Sequence, residues 1–323
     1  MDAFRILKPG PYTTVQDAGR YGFQQFGIPP TGVLDQFAYR AANMLLDNPE
    51  NAAVLEATVI GPQLEVLSET DLAVTGAEAP ITLNNQPRKG WGTFRARPGD
   101  ILNIGPVKSG CRCYIGATGG LDVPLVMGSR SCYVAAGIGG HEGRLLAKGD
   151  LLQRTEGRLL PEMRQVPDQA IPTYAPEITL RAVPGPQDDF FDEGLELFYR
   201  SDFTVSINAN RMGYRLEGPR IAQKDGMPKS IISEPSLPGG VQIPPDGQPI
   251  ILLVEQTVGG YTKIATVISA DLPRVAQAKP GDRIRFAKVD LAEAYAAARR
   301  QEDKLRKLVL GAGSASVDSK LKH

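Results

Sequence analysis

The sequence predicts a mainly β protein with a few short helices and a C-terminal helix. Two observations carry this reading. The 35 glycines and 26 prolines are spread through all 323 residues, which suits many short strands joined by tight turns. Apolar residues recur with a period of two or in short unbroken runs, and only three stretches keep a helical period.

The first helix is expected over residues 35–47, where Phe37, Ala38, Ala41, Met44 and Leu45 share one face, Asp35 is placed to cap the start, and Asn48-Pro49 stops it. A second, weakened by Gly194, clusters Phe190, Phe191, Leu195 and Phe198 over 188–199. The third opens with Asp290-x-x-Glu293, in the manner of a capping box, and runs past Lys304 as an appendage. Strands are expected at 72–74, 81–83, 101–104, 114–117, 178–182, 204–207, 250–255, 262–269 and 284–286. The run from Ile250 to Val254 is apolar on both faces and so belongs at the centre of a barrel or sandwich.

Between Thr155 and Glu177 the patterning lapses and Pro161, Pro167, Pro172 and Pro176 accumulate, as in a linker. The expected division is a first β domain at 1–165, a second at 176–290, and a C-terminal helix and tail at 291–323. Arg97-Pro-Gly-Asp100 and Lys279-Pro-Gly-Asp282, each leading into a strand, hint at duplication; Lys148-Gly-Asp150 repeats part of the phrase, so a recurrent turn explains it equally.

Thirty-six basic and 36 acidic residues leave no net field to favour nucleic acid or an anionic membrane. No run approaches the ~18 apolar residues of a membrane span, no export signal is visible, and three cysteines, an odd number, fit thiols in a reducing, cytoplasmic setting. Two histidines and a lone Cys111-x-Cys113 give no metal-ligand spacing. There is no phosphate-binding G-x-x-x-x-G-K-[S/T], no G-x-S-x-G, and the glycines from Gly137 to Gly143 miss the dinucleotide spacing. Those glycines read as turn formers, and His141 as a loop residue rather than a base.

Four polar, glycine-flanked segments are the candidate site. In the first, Asp17 and Arg20 either pair across a turn or present a carboxylate and a guanidinium to a ligand. The second gathers Asn210, Arg211, Tyr214 and Arg215 around Gly213, suiting a carboxylate or phosphate, or else a strand end facing water. The third, 233–248, is a long proline-stiffened loop bearing Gln242 and Gln248. The fourth, 255–263, is expected to turn a hairpin at Gly259-Gly260, bringing Gln256, Tyr261 and Lys263 to the mouth of the same barrel.

Taken together, the phrases GPYTTVQDAGRYGF, GVLDQFAYRAANMLL, LEATVIGP, VTGAEAPITLNN, ATGGLDVPLVMGSRS, GIGGHEGRLLAKGD, NRMGYRLEG, PGGVQIPPDGQPIILLVEQTVGGY and ADLPRVAQAKPGDRIRF resemble the 5-oxoprolinase C-subunit family, also described as the biotin-dependent carboxyltransferase or allophanate hydrolase subunit 2 family. The resemblance covers residues 6–286. It implies two cyclophilin-like β-barrel domains, and a hydrolase that opens 5-oxoproline to glutamate using ATP. The implied partners are a kinase-inhibitor-like B subunit and an A subunit, with the ATP site in, or shared with, a partner.

The family's shared polar positions fall on Gln16, Asp17, Arg20, Asp35, Asn43, Asn210, Arg211, Tyr214, Gln242, Gln248, Gln256, Gly259, Gly260 and Tyr261. The roles assigned with them make Asp17, Arg211 and Lys263 the catalytic group. Arg211 and Lys263 hold a carboxylate or phosphate, Gln242 and Gln248 bind the lactam amide, and Asp17 orients a base or a water. One alternative is a carboxyltransferase subunit that uses biotin and acts on urea or another small amide. A further one is a non-enzymatic regulator that binds a kinase-inhibitor partner.

Overall fold

In the computed structural model the apolar runs of the second half close into a barrel. Described are residues 1–310, with side chains to Leu308, and the backbone of 313 and 314. The tail expected beyond the helix, at 311–312 and 315–323 including His323, lies outside the described residues.

The barrel has seven strands in the order Glu177–Pro184, Arg283–Lys288, Asp202–Val205, Gly213–Glu217, Ile250–Leu252, Gly240–Ile243 and Val258–Val267, and the last pairs back with the first. Ile250–Leu252 has a partner on each side, as its two apolar faces require. Inside, Phe198 from the helix Glu193–Arg200 stacks on Phe286 with ring centroids 4.4 Å apart, and Leu180, Phe203, Ile251 and Ile264 complete the filling. Among the described residues an eighth strand, Ser230–Pro235, pairs only with Val258–Val267 and forms an edge.

The first half builds a core between a seven-stranded and a five-stranded sheet, with Phe4, Ile6, Val15, Leu55, Leu64, Leu72 and Ile115 among the residues withdrawn from water. The helix Gln36–Leu45 packs on the second of these sheets, where Thr75 Oγ1 donates to the Ala38 carbonyl at 2.7 Å.

Two compact units emerge, but they are not consecutive stretches of chain. The first comprises Met1–Ala18, Gln36–Thr173 and the described residues from Lys304; the second comprises Gly19–Asp35 and Tyr174–Asp303. Side chains and backbone explain why the early segment joins the second unit. Leu34 enters the barrel core, Thr31 N–H donates to the Val254 carbonyl at 3.0 Å, and Gln277 Nε2 donates to Asp35 at 2.8 Å. The expected linker is likewise tied down. Leu160 and Val166 are buried, Leu160 N–H donates to Asp71, and Arg95 donates to the Leu160 carbonyl, so the prolines there stiffen a packed strap. The C-terminal helix, Leu291–Leu310, buries Ala297 against Ile268 and Ala270 in the second unit.

The recurrent Gly-Asp phrase is one turn used three times. Asp100, Asp150 and Asp282 each accept the backbone N–H three residues earlier, at 2.7, 2.7 and 3.0 Å, and each preceding glycine, Gly99, Gly149 and Gly281, has φ near +90°. The expected hairpin does not form. Gly240–Ile243 inserts between the two strands it would have joined, and Gly259-Gly260 lies inside Val258–Val267 rather than at a turn.

Candidate functional site

Strand register assembles one face of the barrel wall in the second unit. Lys263 stands opposite Gln242, and Glu234 on the edge strand stands opposite Gly259. Opposed residues of an antiparallel pair share a face, as do residues four apart on one strand, so Glu234, Gln242, Gly259 and Lys263 point the same way.

Lys263 is 5% exposed, and its Nζ lies 2.6 Å from Glu234 Oε1. Gln187 braces the pair, with Nε2 donating to the same oxygen at 3.3 Å and Oε1 accepting the Lys263 backbone N–H at 2.9 Å. The Lys263 ammonium holds the Glu234 carboxyl below the usual glutamate range, against the opposing effect of burial. A depressed carboxyl stabilises the fold above its unfolded value, and the benefit is lost as pH falls through the folded one. The Glu234 side chain is 40% exposed, so solvent screens the pair and its share is small. Urea midpoints measured across the acid range are expected to fall slightly less steeply for E234Q than for the wild type.

Gln242 and Ser236 are 4% and 1% exposed, yet neither Gln242 Nε2 nor Ser236 Oγ finds a hydrogen-bond partner among the described residues. Both converge on Gly259. A Cβ there would stand 2.2 Å from Gln242 Nε2 and 3.4 Å from Ser236 Oγ, so only glycine lets the amide lie where it does. Buried donors left unpaired are costly, so this pair, beside a buried ammonium, is a place where an oxygen-rich ligand would gain.

The remaining expected residues divide between the units. In the second, Arg211 is buried, with Nε donating to Glu255 Oε1 at 2.6 Å and a terminal nitrogen donating to the Gly32 carbonyl at 2.5 Å. Arg20 donates to Thr31 Oγ1 at 3.1 Å, Asn210 Oδ1 accepts the backbone N–H groups of Met212 and Gly213, and Tyr214 donates to the Ala278 carbonyl. The Gln248 amide closes a two-way pairing with the Gly218 backbone, and Gln256 donates to the Val258 carbonyl. Gly260 is half-buried on the same strand as Lys263, beside exposed Tyr261.

In the first unit Asp17 accepts the hydroxyls of Ser129 and Ser131 at 2.6 and 2.5 Å and the Arg130 N–H at 2.6 Å. Gln16 donates to Thr14 and to the Cys132 carbonyl, and Asn43 spans the Ala52 carbonyl and Asn48. The cysteines are buried free thiols, and burial first, then Cys111, pushes the Cys113 thiol up to about 12.

Ser236, Glu234 and Gln187 were not among the expected site residues. Ser236 and Glu234 lie inside the singled-out loop 233–248, where the amides drew attention; nothing in the local pattern marks Gln187. Among the described residues no three His, Cys, Asp or Glu side chains gather to hold a metal ion. What the face can do is hold an anion or a carbonyl oxygen with one ammonium and two neutral donors.

Residues 26–288 match the family model described as carboxyltransferase domain, subdomain A and B. The 5-oxoprolinase C subunit of Escherichia coli K12 is 41% identical over 303 residues, which covers 92% of this chain and 95% of that one. A urea amidolyase from Lachancea kluyveri is 35% identical over 88% of this chain, which spans 17% of that protein. The crystal structure of Kluyveromyces lactis urea carboxylase superimposes with a TM-score of 0.88 at 31% identity, covering 95% of this chain, which spans 29% of that one.

Proposed function

The chain belongs to the carboxyltransferase-domain family, subdomains A and B, and from that premise we propose that it is the C subunit of a cytoplasmic, ATP-dependent 5-oxoprolinase, opening 5-oxoproline to glutamate together with the A and B subunits. One observation carries the choice. Identity to the Escherichia coli 5-oxoprolinase C subunit, 41% over 303 residues, exceeds that to the Lachancea kluyveri urea amidolyase, 35% over 305 residues.

In this reading the substrate lies on the barrel-wall face. The Gln242 amide N–H and the Ser236 hydroxyl orient the lactam, and Lys263 supplies the positive charge. Gln248, its amide committed to Gly218, acts at a distance by shaping the loop, and Arg211 and Asp17 position backbone. ATP is supplied at a partner, either the kinase-inhibitor-like B subunit or the A subunit. A second reading, a biotin-dependent carboxyltransferase component that acts on urea, is favoured by the TM-score of 0.88 to the urea carboxylase.

Reconstitution separates the two. The chain mixed with its B and A subunits is expected to release ADP only when 5-oxoproline is present. No such release, with urea consumed in the presence of carboxybiotin, would leave the second reading in its place.

A further inference from the structure

We propose that Glu234 is an internal stand-in for a ligand carboxylate: the site binds a small carboxylate whose oxygens replace Glu234 at Lys263 while Gln242 and Ser236 hold its remaining polar atoms. This deepens the proposed function, on which it rests, by giving its site a ligand class and a gate.

The two partners of the ion pair are unequally buried. Lys263 is 5% exposed and holds its ammonium in place for an anion. Glu234 has a side chain 40% exposed and returns to water at little expense. Its strand is built to let go. Among the described residues Ser230–Pro235 pairs on one side only, its register shifts between Ser230 and Glu234, and neighbouring Ile232 is 93% exposed.

Glu234 also leaves the site half satisfied. It answers the ammonium but not Gln242 Nε2 or Ser236 Oγ, both buried and converging on Gly259 directly opposite it. A free carboxylate with a second polar group, such as a lactam oxygen, meets the ammonium and both donors at once. Charge balance agrees, since exchanging one carboxylate for another leaves the buried face neutral. While Glu234 occupies the ammonium, the apparent affinity for a carboxylate is reduced by the fraction of molecules in which it does so.

The test is isothermal titration of the full chain with 5-oxoproline, with acetate as a minimal carboxylate and with neutral 2-pyrrolidinone, for wild type, E234A and K263M. E234A is expected to bind both carboxylates about tenfold tighter, the range set by freeing one charge-assisted hydrogen bond, and the neutral lactam as the wild type does. K263M is expected to lose the carboxylates. If no carboxylate binds E234A more tightly than wild type, the inference is overturned. Tighter carboxylate binding by E234A, without 5-oxoproline turnover in the reconstituted enzyme, keeps the inference and removes the 5-oxoprolinase reading. Turnover with unchanged carboxylate affinity does the reverse.

Discussion

Replacing Lys263 with methionine is expected to lower kcat/KM of the assembled enzyme for 5-oxoproline about 10- to 10²-fold, the usual cost of removing one charge-assisted contact to a substrate carboxylate. The residue is nearly inaccessible, and its stem passes 3.9 Å from where a Gly240 Cβ would stand, so a methionine of similar length keeps the packing and removes only the charge. Glu234 loses its cation but, at 40% exposure, turns to water. Stability should therefore move by no more than about 1 kcal/mol. Steady-state kinetics beside urea unfolding of the same preparation separates the outcomes. Full turnover in a folded K263M enzyme removes Lys263 from the site, and a collapse of stability would make it a structural lysine.

Arg211 is expected to behave in the opposite way. R211A strands Glu255, whose side chain is 10% exposed, without its cation and takes a donor from the Gly32 carbonyl. Breaking such a pair costs about 3–5 kcal/mol, which is of the order of a whole domain's margin. R211K keeps the charge but not the fork that reaches two acceptors, so it should recover only part of the loss. Urea midpoints at neutral pH measure both variants. The same experiment separates Arg211 as an anchor of the 19–35 segment from Arg211 as a ligand-holding group, because a ligand-holding arginine would lose activity without losing stability.

Much of the fold was legible because period and punctuation agree. The helix at 35–47 appears as Gln36–Leu45, ended as expected before Pro49, and the runs at 81–83 and 101–104 appear unchanged as strands. The short helix Leu272–Gln277 escaped because six residues with a proline near the start carry too little periodicity to register. Pairing order was not legible either. Gly259-Gly260 reads locally as a turn, but the partner strand that keeps it extended is supplied by Gly240–Ile243, and nothing local to either glycine encodes that choice. The inclusion of 19–35 in the second unit depends in the same way on contacts made by residues more than 200 positions away, Gln277 to Asp35 among them.

The placement of the candidate residues was legible in part. Lys263 and Gln242 stand opposite one another as cross-strand neighbours, whereas Gln248 satisfies its amide on Gly218 and Asn210 caps its own turn. Residue type alone does not separate an amide spent on backbone from one left with a free N–H. Burial and geometry do, and they draw in Ser236 and Glu234 instead.

The central claim is that one face of the barrel wall receives the amide substrate. A crystal structure of the full chain soaked with 5-oxoproline tests it most directly. The account requires the ring amide against Gln242 and Ser236, the carboxylate at the Lys263 ammonium and Glu234 swung outward. A ligand bound elsewhere, with Glu234 still on Lys263, would contradict it.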